Sequence, residues 1–166
     1  MKLKLHLLLL ALCGMAFLPS CENDDDIAPS AVPEATRSAF EARFPNVNNA
    51  HWGAKRNYHV AEFYNNGREV EAWFTTDSEW RMTETDLGIN LSLLPAAVQE
   101  AFAASQYASW AIDDIDQYER TDGTFYLIDV ETRGQRDHDL FFAPDGTLIK
   151  AVEDGKTGDI LPTTVL

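Results

Sequence analysis

Tyr58-His59-Val60-Ala61-Glu62-Phe63-Tyr64-Asn65-Asn66-Gly67-Arg68-Glu69-Val70-Glu71-Ala72-Trp73-Phe74-Thr75 is the stretch that decides the fold. Two runs rich in aromatic and β-branched residues flank Asn65-Asn66-Gly67, and Asn-Gly supplies the positive φ of a tight turn, so the stretch predicts a β-hairpin. Phe125 to Thr132, Arg133-Gly134 and Gln135 to Phe142 repeat the pattern. Just beyond each hairpin, Trp73 to Trp80 matches Phe141 to Leu148, another turn leading into a final strand.

Upstream of each hairpin lies a short helix. Val32-Pro33-Glu34-Ala35-Thr36-Arg37-Ser38-Ala39-Phe40 and Leu94-Pro95-Ala96-Ala97-Val98-Gln99-Glu100-Ala101-Phe102 begin alike. Proline suits a helix start because its φ is already helical and its missing N–H is not needed there. Ala35, Ala39, Phe40 and Phe44, and likewise Ala97, Val98, Ala101 and Phe102, recur at helical spacing. Trp52 and Trp110 follow the two helices at similar places and are expected to plug the helix-to-sheet junction. The offset between the halves grows from 62 at Pro33/Pro95 to 68 at Phe74/Phe142, which places insertions before and within the second hairpin. The expected fold class is α+β: a tandem duplication of a helix plus four antiparallel strands, fused into one sheet with the helices on one face. The boundaries are residues 32–90 and 91–153 for the two repeats and 154–166 for a tail that packs through Ile160-Leu161-Pro162.

The order of helix, strand, Gly-turn hairpin, aromatic pair, Asp-Gly turn and last strand resembles the PepSY-like, beta-lactamase-inhibitor-like family of secreted bacterial lipoproteins, over about residues 31 to 152. The resemblance implies tandem units joined into one antiparallel sheet, with no established catalytic residues. The chain lacks the disulfide-forming Cys of the true inhibitor, so inhibition of a lactamase is not carried over.

Strand alternation sorts the hairpin side chains onto two faces. His59, Ala61, Phe63, Val70, Ala72 and Phe74 are expected to face the first helix, as are Tyr126, Ile128, Val130, His138, Leu140 and Phe142 the second. The opposite face interleaves aromatics with carboxylates. Tyr58, Glu62, Tyr64, Glu71, Trp73, Phe125, Asp129, Asp139 and Phe141 are the candidate partner-binding residues, the aromatics as exposed anchors and the acids steering a basic protein or peptide. A structural subunit or homodimer using that face permanently, or carbohydrate binding through Trp73 and Tyr64, is the alternative.

Charge and motif content exclude other classes. The 166 residues carry 27 acidic and 13 basic side chains, a formal charge of −14, the opposite of what nucleic acid requires. No nucleophile-elbow Ser, zinc-spaced His pair or Gly-rich phosphate loop is present, so no catalytic residue, cofactor or metal is expected. His138 is expected to be a core-facing, hydrogen-bonded imidazole. Asp113, Asp114, Asp116 and Glu119 suggest calcium ligands but lack the mid-loop Gly, and are read as a solvated acidic turn.

The leader sets the compartment. Lys2 and Lys4, the apolar run Leu5 to Leu18, and Leu18-Pro19-Ser20-Cys21 have the parts of a bacterial lipoprotein signal peptide over residues 1–20, with Cys21 the acylated residue. Acyl chains on Cys21 would anchor the protein to the outer membrane, facing the periplasm or the surface. Residues 21–31, with the Asp24 to Asp26 run, are expected to be an acidic tether. Losing the leader takes the chain from 166 residues to 146 and the charge from −14 to −16, and leaves Cys21 as the remaining cysteine.

Overall fold

The computed structural model describes residues 25–153 and 160–164. The expected signal peptide, the expected lipidation site Cys21 and residues 22–24 lie outside the described residues. Two helices, α1 (Glu34–Arg43) and α2 (Ala96–Ala104), accompany nine strands: β1 (Asp25–Asp26), β2 (His51–Lys55), β3 (Tyr58–Asn65), β4 (Arg68–Thr75), β5 (Trp80–Asp86), β6 (Ala111–Arg120), β7 (Gly123–Glu131), β8 (His138–Phe142) and β9 (Leu148–Glu153). The strands form one antiparallel sheet in sequence order, each paired with its chain neighbour. Among the described residues no helix is long and apolar enough to cross a membrane.

Local chemistry explains the elements. Asn66 and Gly67 take φ of 53° and 79°, the left-handed pair that turns β3 directly into β4. Pro33 and Pro95 sit at the N-caps of α1 and α2, where a missing N–H costs nothing. Each helix then lays one stripe on the same side of the sheet. Phe40 of α1 meets Trp52, Phe63 and Phe74 edge-on at 5.2 to 6.4 Å. Val98 and Phe102 of α2 pack with Ile128, Val130, Leu140 and Phe142. Trp52 thus plugs its junction as expected, and Trp110 packs at the rim of the second cluster.

Three segments differ from expectation. Residues 113–119 are not a solvated turn: they lie in β6, with Ile115 and Tyr118 buried on opposite sides. The Asp24 to Asp26 run is not wholly tether, because Asp25 and Asp26 pair with Ala54 and Gly53, and the Asp26 carboxylate holds the His51 ring at 2.8 Å. In the second hairpin the strands end sooner, leaving residues 132–137 as a longer connection. Edge to edge, β5 joins β6 through Met82–Asp86 and Asp116–Arg120, which makes one sheet of the two halves.

Candidate functional site: the open face of the sheet

The face away from the helices is built on register. Directly opposed residues of an antiparallel pair share a face. Val60, Trp73, Met82 and Arg120 form one row across β3 to β6. The next row runs His51, Glu62, Glu71, Glu84, Tyr118 and Phe125. Beyond it come Asp86, Asp116, Leu127, Phe141 and Lys150. Asp114, Asp129, Asp139 and Val152 follow.

Of the five aromatic candidates Tyr64 is exposed, whereas Tyr58, Trp73, Phe125 and Phe141 are not exposed anchors. Trp73 is 2%, Phe125 4% and Phe141 0% exposed, and Tyr58 is half-buried. They form a second core with Val60, Met82 and Tyr118, under which Tyr118 and Phe125 stack at 4.7 Å and 7°. Leu127, Val152, Ile160 and Leu161 pack onto it. The physical reason is that large apolar surface gains about 25 cal/mol per Å² when removed from water, and the chain has its own residues within reach to remove it. Of the tail, Ile160 and Leu161 pack here.

The carboxylates stand beside this core in a band. Five cross-strand pairs set acid against acid: Glu62 and Glu71, Glu71 and Glu84, Asp86 and Asp116, Asp114 and Asp129, Asp129 and Asp139. Like charges directly opposite destabilise a sheet. Burial worsens the repulsion and then relieves it through protonation. Glu84 is raised to about 7 by burial and by the Glu71 charge, against smaller opposing pulls from the Tyr118 hydroxyl and Lys55. Asp116 is raised to about 8 by burial, then by Glu84, Asp114 and Asp86. Asp114 is raised as well, chiefly by burial. Lys55 reaches Glu71 at 3.1 Å and lies 5.5 Å from the Trp73 ring.

The candidate residues therefore divide. Glu62, Glu71, Asp129 and Asp139 belong to the band, Asp139 being 7% exposed. Glu62 and Tyr64 turn to an open cleft of about 950 Å³ around the β2 edge, also lined by Arg37, Glu41, His51 and Glu69. Tyr64, 72% exposed, donates to Glu69 at 3.4 Å. Tyr58, Trp73, Phe125 and Phe141 are core. Sequence reasoning missed Glu84, Asp86, Asp114 and Asp116 as site members; alternation from Met82 and Tyr118 is the signal that places them.

Asp86, Asp114 and Asp116 bring ligand oxygens within 4.8 Å of one another. The spacing would admit a hard cation, and it equally admits a shared proton, which burial favours. His138 faces the helix side, its Nδ1 3.0 Å from the Arg136 carbonyl and its ring 5.3 Å from Tyr107 and Trp110. Chemically the open face can hold protons or cationic groups against an apolar floor.

Comparison with known proteins places the chain. Residues 57–150 match the family described as "Putative beta-lactamase-inhibitor-like, PepSY-like". A BLIP-like protein from Bacteroides fragilis is 32% identical with a TM-score of 0.71, covering 78% of this chain and 91% of its own. A DUF2874 family protein from Bacteroides ovatus is 30% identical with a TM-score of 0.72, over 78% and 92%. A third structure, from Bacteroides eggerthii and described as "putative periplasmic proteins", is 28% identical with a TM-score of 0.68, over 74% and 88%. No curated protein matches. With its single antiparallel sheet and two helices on one side, the chain belongs to the PepSY-like, beta-lactamase-inhibitor-like family.

Proposed function

We propose that this protein is a non-catalytic binding module of the cell envelope, which captures a basic protein or peptide on the carboxylate band of its open sheet face. The observation that carries the reading is the run of five acid-on-acid rungs across β3 to β8. A sheet gains nothing in stability from such rungs, whereas a cationic partner would be steered to them and held. The BLIP-like relative supports a binding module, and the relative described as periplasmic, with the leader sequence, supports the location. Anchoring through acylated Cys21 at the outer membrane and descent from a duplicated unit belong to the same reading. The shared order of one helix and four strands in each half supports the duplication.

Titrating the protein with a fluorescent oligolysine peptide at low ionic strength tests it. Glu62→Gln, Glu71→Gln and Asp129→Asn together should weaken binding by roughly tenfold or more. Unchanged affinity removes the band from the function. A second reading, a homodimer through the β9 edge instead of the open face, is favoured by a different observation: among the described residues β9 ends the sheet, with Leu148 41% and Ile149 40% exposed. Sedimentation equilibrium of the soluble body, with Ile149→Lys as the control, separates the two.

A further inference from the structure

Residues 160–164 are held the way a bound peptide is held. Ile160 and Leu161 pack on the apolar core of the open face. The Arg120 guanidinium, 4.8 Å from the centre of the Phe125 ring, donates to the Thr164 carbonyl at 2.7 Å and to the Leu161 carbonyl at 3.0 Å. The segment closes on itself around Pro162: the Leu161 N–H donates to Thr164 Oγ1 at 2.8 Å and the Thr164 N–H to the Leu161 carbonyl at 2.9 Å.

The fit is incomplete. Trp73, Met82 and Arg120 are neighbours in one row across β4, β5 and β6. At the two ends of that row Trp73 Nε1 and Arg120 Nε are buried donors with no acceptor among the described residues. A buried donor left unpaired costs about 1–3 kcal/mol, so an occupant bringing two more acceptors would be preferred to the resident one. Glu84 flanks the row, next on the same face of β5 to Met82, and a cation on such an occupant would offset the burial that holds its carboxyl toward the neutral form.

We propose that residues 160–164 are a resident competitor, seated in the docking site of a partner peptide that carries two adjacent aliphatic side chains, carbonyl or carboxylate acceptors for Trp73 Nε1 and Arg120 Nε, and a basic residue toward Glu84. The inference rests on the binding reading above and adds the chemistry of the ligand and a built-in block. A segment tethered to its own site competes at an effective concentration of about millimolar, so the block is substantial until a better-fitting peptide arrives.

The probe is a fluorescent peptide, Lys-Ile-Leu-Pro-Thr-Thr, with a control in which Ser-Ser replaces Ile-Leu, titrated into the full chain. The variant Ile160→Ser with Leu161→Ser should bind the probe at least about tenfold more tightly than the unaltered chain, and should discriminate against the control. Equal affinity for both chains overturns the competitor. If the band substitutions still abolish that equal binding, the basic-partner reading stands without it; failure of both chains to bind removes the docking site altogether. Should the variant not fold, the unaltered chain gives the answer by NMR. A millimolar excess of probe must displace residues 160–164 and shift the Ile160 and Leu161 methyl resonances toward those of exposed side chains, and stationary resonances overturn the proposal.

Discussion

Glu84 and Asp116 tie the open face to pH. Their folded values, about 7 and about 8, lie above the ordinary 4.5 and 3.8 because burial and neighbouring carboxylates penalise the charged form. At acid pH both folded and unfolded chains bind the protons. As pH climbs past about 4 the unfolded chain releases them while the folded chain keeps them, so stability falls with rising pH and levels off above the folded values. Thermal unfolding should therefore show a higher midpoint at pH 5.5 than at pH 8.5. Glu84→Gln with Asp116→Asn should flatten that dependence and stabilise the protein at pH 8.5, by an amount on the order of a few kcal/mol. A midpoint that rises with pH over that window would contradict the buried, protonated band. Trp73 and Phe141 carry the complementary prediction. Exposed anchors could be removed without harm, but these are core residues, and Phe141→Ala should cost about 3–5 kcal/mol in denaturant unfolding. The aromatic-acid alternation was legible in the sequence; which aromatics face water was not, because that depends on residues 160–164 arriving from the far end of the chain.

At the scale of elements, the turn between the last two strands of each half rests against that half's helix, by two different devices. In the first, Thr36 Oγ1 of α1 meets Ser78 Oγ at 2.8 Å, with Thr36 fully buried. In the second, Gly146 has φ of 87° and its backbone lies so close to α2 that a Cβ would sit 2.5 Å from the Ala97 carbonyl oxygen. Gly146→Ala should thus destabilise by about 2–4 kcal/mol, combining left-handed strain with displacement of α2. Gly67 has φ of 79° but open space around its missing Cβ, so Gly67→Ala should cost only about 1 kcal/mol. Equal losses in equilibrium unfolding would refute the helix contact. The β3–β4 hairpin was readable because Asn66-Gly67 and period-two alternation are both local. Strand β6 was not. Its buried Ile115 and Tyr118 lie three apart, on opposite faces, so neither face shows alternation and the intervening acids look like a loop.

For the whole molecule, five rungs built from eight of the 27 acidic side chains share one face of the sheet. Screening should relieve them: raising NaCl from about 0.01 M to 0.5 M shrinks the Debye length from about 30 Å to a few Å. The unfolding midpoint should rise with salt while oligolysine affinity falls, and a salt-insensitive midpoint would mean the rungs are already neutralised. What the sequence determined by itself was the local grammar: two Pro-started helices, two hairpins with their inward faces, the acidic composition, and the order of elements that resembles the family. Only the tertiary structure decided that the open face is half core and half carboxylate band. Pairing of β5 with β6 lays Glu84 and Asp86 against Tyr118 and Asp116, residues 34 and 30 positions apart. No local pattern encodes such a juxtaposition, because register between distant strands is set by the packing of the finished sheet.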